Sequence, residues 1–264
     1  MYKIVRKKEL NSAVTLMDIE APFIAKKAQA GQFIIFRIDD KGERVPLTIA
    51  GYDREKGTVT IIFQKVGFST IALGALNEGD YILDFVGPLG KPTPVEGKKK
   101  VCVVGGGVGC AIALPSAKAF KEAGAEVTVI VGFRSKDIVI LEDEFRACAD
   151  NFILMTDDGS YGRHGLVTQP LKEMLEAGEQ FDEVLAIGPV PMMKLSATAL
   201  NSSSRMTMSL LRKPTITVTS APASLKAAAE GRAMAQPTPP PTTQTFFLPS
   251  TGVGLPRGPT KSRM

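Results

Sequence analysis

Val101-Cys102-Val103-Val104-Gly105-Gly106-Gly107-Val108-Gly109-Cys110 is the stretch on which the reading of the chain turns. Four apolar residues run into a glycine cluster, and a helix-forming segment, Pro115 to Gly124, follows. A short unbroken apolar run suits a parallel strand buried on both faces. Glycines directly after it let the backbone turn sharply and approach a ligand, with free N–H groups facing an anion. A dinucleotide fingerprint asks for Gly-x-Gly-x-x-Gly or Ala. Gly105 and Gly107 take the first two places, Cys110 stands at the third, and Gly106 and Gly109 are additional. The next strand, Val127 to Val131, ends in Gly132-Phe133-Arg134-Ser135-Lys136, where an acid would ordinarily bind the ribose. The stretch is therefore a phosphate-turn candidate that departs from the usual pattern. A plain tight turn in an α/β domain is the alternative.

Toward the carboxyl end, the pattern predicts a strand over Glu126–Val131, a helix over Leu141–Ala149 and a strand over Phe152–Thr156. A helix over Val167–Ala177 and a strand over Glu183–Ile187 follow. Strands alternating with helices form a parallel sheet with right-handed crossovers, and ligands bind beyond the carboxyl ends of its strands. Every candidate falls there: the glycines, Arg134, Asp157 and Asp158, and Gly188-Pro189.

Toward the amino end, β-rich segments at 2–8, 13–20, 32–38, 45–52, 58–66 and 81–86 alternate with turn residues. A small antiparallel barrel with one short helix, Ser69 to Leu76, accounts for them. Two places in it look chemical. Arg44-Val45-Pro46-Leu47-Thr48 offers a guanidinium fork suited to phosphate and a hydroxyl on the same strand. Pro46 removes a ladder donor, which predicts an edge or irregularity there. Gly67-Phe68-Ser69-Thr70 runs from a strand into a capped helix start, another anion cradle. An exposed turn arginine and an ordinary helix cap are the bland alternatives. Pro92 to Gly97 reads as the hinge, giving domains 1–97 and 98–195 and a tail 196–264.

These pieces resemble the ferredoxin–NADP reductase superfamily, in which a flavin-binding barrel precedes a nicotinamide-binding α/β domain. They are most similar to the small flavoprotein subunits, such as the electron-transfer subunit of dihydroorotate dehydrogenase and those of sulfide dehydrogenase and ferredoxin:NADP oxidoreductase. The matching segments are Ala30–Phe33, Arg44–Thr48, Gly67–Thr70, Gly87–Gly90, the glycine stretch, Gly132–Asp137 and Gly188–Met193, in the family's order. The resemblance implies FAD, with Arg44, Gly67, Ser69 and Thr70 on its pyrophosphate. Pro46, Leu47 and Thr48 would lie along the isoalloxazine, with Thr48 near its N5. It also implies NAD(H) or NADP(H) over Gly105, Gly106, Gly107 and Gly109. Arg134 would stand near the adenosine ribose, Asp157 and Asp158 in a cofactor-binding loop beyond the strand ends, and Gly188, Pro189 and Met192 beneath the nicotinamide. The basic residues of the Arg134 loop leave NAD versus NADP open. For Met192, core packing is the competing explanation. Cys110, nearest the nicotinamide, is the one thiol with a candidate chemical role, against small-residue packing. Implied partners are a larger catalytic or flavoprotein subunit and/or ferredoxin, in a hetero-oligomer.

The 264 residues carry a formal charge of +5, but Ser196 to Met264 holds eight Lys and Arg against Glu230 alone. The preceding residues therefore have 24 basic against 26 acidic side chains, which argues against a nucleic-acid surface. No long apolar run or leader-like amino terminus suggests a membrane span or secretion. Three cysteines without metal-ligand spacing suit reduced thiols in the cytoplasm. A lone histidine, His164, supports no hydrolytic triad. Related small subunits carry a [2Fe-2S] cluster near the carboxyl end, which needs four thiolates. This chain has no cysteine after Cys148, so that cluster and any other metal site are not expected. The tail contains nine of the 18 prolines and no Asp, a composition that predicts disorder. The abrupt switch after about Lys194 also reads as translation out of frame. A truncated or non-catalytic subunit keeping the fold is the competing functional reading.

Overall fold

The computed structural model describes residues 1–204, 215–219 and 243–246. β1 (Tyr2–Glu9) and β2 (Val14–Glu20) form an antiparallel pair. Their turn is shaped by Asn11, whose Oδ1 accepts the N–H groups of Ala13 and Val14 at 2.9 Å each. After α1 (Pro22–Lys27) come β3 (Phe33–Arg37), β4 (Val45–Asp53), β5 (Thr58–Gln64), α2 (Phe68–Ala75), β6 (Tyr81–Ile82) and β7 (Asp84–Leu89). The strand order is β6-β1-β2-β5-β4-β3-β7. The two outermost strands, β6 and β7, are separated in the chain only by Leu83, whose N–H donates to Ile38 O at 3.1 Å. The sheet must therefore curl until its ends meet, which makes it a nearly closed barrel. Alternation fills the inside: Ile34 and Phe36 of β3 point inward with Ile49, Ile61, Leu73 and Phe85, all fully buried.

The chain then enters β8 (Lys100–Gly106), α3 (Gly109–Glu122), β9 (Glu126–Phe133), α4 (Glu142–Cys148) and β10 (Asn151–Thr156). The short β11 (Arg163–His164), α5 (Thr168–Glu176), β12 (Glu183–Ile187), α6 (Val190–Ser204), β13 (Thr215–Thr219) and β14 (Thr243–Phe246) complete the series. The order β11-β10-β9-β8-β12-β13-β14 is parallel throughout except for the β13–β14 pair. The expected fold class, a barrel followed by a parallel-sheet domain, is the one found. Two short strands, β13 and β14, fall inside the stretch expected to be disordered, and the remainder of that expectation lies outside the described residues.

Local differences have physical causes. α3 begins at Gly109, six residues before Pro115. Its inward face of Cys110, Ala113, Leu114, Ala117 and Phe120 is buried, and that burial offsets the donor that proline removes. α1 leaves little trace in the sequence because it buries only Ile24 and Ala25.

The two halves share a core. Val14, Leu16 and Ile62 of the barrel pack in one apolar cluster with Leu114, Leu141 and the rest of the face of the parallel sheet that α3 covers. Thr93 and Ser116 hydroxyls, 2.9 Å apart, and an Asn11 Nδ2 bond to Ile138 O at 3.4 Å add polar ties across the junction. Among the described residues, no helix is long and apolar enough to cross a membrane.

Candidate functional site

β4 lies between β3 and β5, yet its pairing with β5 starts only at Ile49↔Ile61 and shifts register before Gly51↔Thr60. Val45 to Thr48 are therefore held by β3 alone, with Thr48 opposite Phe33 and Pro46 opposite Ile35. Pro46 stands where one side of the strand has no ladder, the irregularity its missing donor demands. The half-buried Pro46, Leu47 and Thr48 thus present an open strand edge. Arg44, one residue upstream, is exposed, and its guanidinium has no hydrogen bond or ion pair among the described residues.

The start of α2 is built by Thr70. Its Oγ1 accepts the N–H groups of Val66 (3.1 Å) and Gly67 (3.0 Å) and donates to Gly67 O (3.1 Å). That hydroxyl is fully used in shaping the turn, so what Thr70 can still offer an anion is its backbone N–H. The first bond into the helix, Ile71 N–H to Gly67 O at 2.8 Å, leaves the N–H groups of Phe68, Ser69 and Thr70 ahead of it. Ser69, 9% exposed, donates its hydroxyl to Glu43 Oε2 at 2.7 Å. Across 26 residues of sequence this contact brings the Arg44 turn against the start of α2. A carboxylate already sits beside the first turn of the helix, the end that favours negative charge. At the other end of α2, Lys7 Nζ donates to Gly74 O (2.6 Å) and Leu76 O (2.8 Å), a cation on the negative helix end.

In the parallel sheet the chain leaves β8 toward β9 on one side, and later strands arrive beside β8 at β12 on the other. The crevice at the carboxyl ends of β8 and β12 is the topological switch point. Gly105 to Gly109 and Gly188-Pro189 line it, but its glycines do different work. A Cβ at Gly105 would lie 2.9 Å from Cys110 Sγ, at Gly106 2.6 Å from Met192 Sδ, and at Gly109 2.6 Å from Ile187 O. Those three are small because the protein's own atoms press on them. Gly107 alone has a left-handed φ, +56°, with nothing within 4 Å, and it faces open space. Cys110 and Ala111 N–H groups turn back onto Gly107 O (3.1 Å) and Val108 O (3.0 Å). The N–H groups of Val108 and Gly109 are left as the donors of the turn.

Two further candidates, Cys110 and Met192, stand behind these glycines. Cys110 is fully buried against Gly105, and burial pushes its thiol far above the ordinary range, which favours packing over thiolate chemistry. Met192 is 8% exposed, and its thioether lies between Gly106 and Gly188, at the wall of the crevice.

At the ends of β9 and β10, Asp157 N–H donates to Phe133 O (3.0 Å) and Asp158 N–H to Arg134 O (3.2 Å), which joins the two candidate loops. Asp158 Oδ1 accepts the hydroxyl (2.6 Å) and N–H (2.9 Å) of Ser160, and these bonds hold its carboxyl below the usual range. Asp158 therefore shapes its own loop. Lys136 Nζ stands 5.2 Å from the centroid of the Tyr161 ring. Arg134 is exposed and its guanidinium has no hydrogen bond, ion pair or ring contact among the described residues, which makes it the available cation of the loop. Glu43 is the site residue that the sequence did not reveal, since nothing local links it to Ser69.

A curled antiparallel barrel with an anion cradle at its rim, joined through a shared core to a parallel sheet with a glycine-lined switch point, is the build of the ferredoxin–NADP reductase-like oxidoreductases. This fold is one of them. No protein-family model matches the chain. It is 43% identical over 194 residues to the "dihydroorotate dehydrogenase B (NAD(+)), electron transfer subunit homolog" of Thermotoga maritima, covering 74% of this chain and 68% of that one. The corresponding electron transfer subunit of Fusobacterium nucleatum is 37% identical over 191 residues, covering 70% and 73%. A Clostridium beijerinckii protein named only by its position in an adh 3' region is 51% identical over 205 residues, covering 75% and 69%. The chain belongs to the family of dihydroorotate dehydrogenase B electron transfer subunits. Among solved structures, the NADH-dependent reduced ferredoxin-NADP oxidoreductase superposes with a TM-score of 0.72 at 38% identity, covering 83% of this chain and 75% of the other. The cytochrome b5 reductase domain of Ulva prolifera nitrate reductase (TM-score 0.61, 17% identity, 81% and 95% coverage) shares the fold.

Proposed function

We propose that this chain is the electron-transfer subunit of a flavoprotein oxidoreductase. In this reading it holds FAD on the barrel rim and NAD(H) or NADP(H) at the switch point, and serves a larger subunit, ferredoxin or both. The observation that carries the reading is the Ser69–Glu43 contact, which makes one cradle out of two segments far apart in sequence. The relatives' names, which call them electron transfer subunits, support a larger partner.

A bound flavin supplies hydride exchange with a nicotinamide and single-electron exchange with an iron–sulfur centre. The protein's part is to bind and align. Arg44 offers two parallel N–H donors to a pyrophosphate, with the first-turn N–H groups of α2 opposite. The half-buried open edge at Pro46, Leu47 and Thr48 would lie along the flavin ring, with the Thr48 hydroxyl available as a donor. Val108 and Gly109 N–H groups face the second dinucleotide's phosphates, and Arg134 its adenosine end. Cys102, Cys110 and Cys148 are buried on separate elements, β8, α3 and α4, and are all free, which suits a cytoplasmic complex whose iron–sulfur centre comes from the partner.

The test is a titration of the purified protein with FAD followed by NADH or NADPH under anaerobic conditions. Bleaching of the bound flavin's visible bands by either nucleotide is expected. Flavin that stays oxidised with both would refute hydride exchange and favour the non-catalytic subunit. We read the tail beyond about Lys194 as out of frame, and the gene should encode a cysteine-bearing terminus in another frame there. A nucleotide sequence without one overturns that reading.

A further inference from the structure

Glu43 has no part in the reaction outlined above, yet its carboxylate is bonded to Ser69 of the proposed flavin cradle. It is exposed and adjacent to Arg44, and the obvious partner for it is that guanidinium. It forms no ion pair with it. Its Oε2 instead accepts the hydroxyl of Ser69, a largely buried residue in the first turn of α2, at 2.7 Å. The bond to Ser69 puts the carboxylate at the helix end whose dipole favours an anion. With Glu43 turned to the helix, Arg44 is left unpaired at the mouth of the cradle.

We infer that Glu43 is a built-in competitor for the flavin pyrophosphate. It keeps the flavin-free cradle in shape and must swing aside when FAD enters. This rests on the FAD reading above and adds a residue that sets how tightly the cofactor is held. Two consequences follow from charge. A pyrophosphate arriving at Ser69 displaces the carboxylate and then lies beside it, so like-charge repulsion opposes binding in both steps. Arg44 gives the departing carboxylate a place to go, since the two side chains are neighbours in the chain. Glu43 thus lowers the affinity of the cradle for FAD without touching the rest of the cofactor.

The test uses the full chain freed of flavin, in wild-type form and as Glu43→Gln. Glutamine keeps the length and an oxygen that accepts the Ser69 hydroxyl, so only the charge is removed. FAD binding is read by quenching of flavin fluorescence at low salt and again at about 0.5 M salt, where surface charges are screened. The expected result is FAD affinity increased by roughly tenfold in the variant, equivalent to ~1.4 kcal/mol, with most of the gain lost at high salt. Inorganic pyrophosphate, titrated against the flavin-free proteins, should show the same preference for the variant. Equal FAD affinity in the two proteins overturns the inference and leaves the flavin reading intact. Weaker binding by the variant overturns it too, because Glu43 would then be a contact of the cofactor. Failure of both proteins to bind FAD, with unchanged thermal melts, sinks the flavin reading and this inference with it.

Discussion

Replacing Gly109 by alanine separates the two jobs assigned to the glycines of the crevice. The added Cβ would stand 2.6 Å from Ile187 O, 2.9 Å from Gly188 Cα and 3.0 Å from Ile187 C. All three are backbone atoms at the end of β12, a strand hydrogen-bonded on both sides, so no side chain can swing away to relieve the clash. The start of α3 must back off, and its buried face comes with it. Overpacking of this kind costs about 1–3 kcal/mol, and rigid neighbours put Gly109→Ala at the upper end. At roughly 2–4 °C per kcal/mol for a protein of this size, the melting temperature should fall by about 6–12 °C. Gly107→Ala is the control. Its Cβ meets nothing within 4 Å, so only the left-handed φ of +56° resists it, at a cost of about 1 kcal/mol. That variant should melt within roughly 4 °C of wild type, while its methyl group enters the open crevice and weakens NADH or NADPH binding. Differential scanning fluorimetry of the flavin-free proteins, followed by nucleotide titration, gives both numbers. If Gly109→Ala melts with wild type, or Gly107→Ala melts lower than Gly109→Ala, the division of labour among these glycines is wrong.

Lys7→Met removes the cation that caps α2 at Gly74 O and Leu76 O and should cost about 1–2 kcal/mol, read by urea denaturation. Because the far end of that helix forms the cradle, FAD affinity should fall as well, and unchanged affinity would mean that the helix needs no anchor there. Acid stability should depend on Asp182, whose carboxyl is held below the usual range by N–H bonds from Lys99 (2.7 Å) and Lys100 (3.0 Å). With the folded value depressed, the unfolded chain takes up the proton first, so this stabilisation is complete above about pH 5 and fades as pH falls through 4 and below. Asp182→Asn should flatten that part of the pH–stability curve, and an unchanged slope would refute the assignment. Cys110→Ala should leave flavin reduction by NADH or NADPH within about twofold of wild type while lowering stability by about 1 kcal/mol, the loss of one small buried group. A tenfold loss of the rate would restore a chemical role to the thiol.

Much of the architecture can be read from local pattern because the physics involved is local. The alternation of β3 and the unbroken apolar run of β8 state which faces are buried, and alternating strands and helices after Lys100 force parallel pairing. Pro46 marks an interrupted ladder through its missing donor. Arg44, Ser69 and the glycines are residue types suited to anions, which is legible from their chemistry alone. Reasoning from the same local signals failed at Pro115, which looks like a helix start and lies mid-helix, because burial of Cys110, Ala113 and Leu114 outweighs a single lost bond. It also missed α1, whose six residues bury too little to leave a periodic trace.

What the sequence by itself determined is therefore the layer order, the faces of the strands and the kinds of chemistry carried along the chain. Tertiary structure alone decided which groups meet. The pairing of β4 with β5 brings Glu43 to Ser69, the meeting of β8 and β12 wedges Met192 between Gly106 and Gly188, and packing buries Cys110. Each of these depends on distances between segments remote in sequence and on the desolvation that follows their packing. Neither quantity is carried by any single stretch of residues.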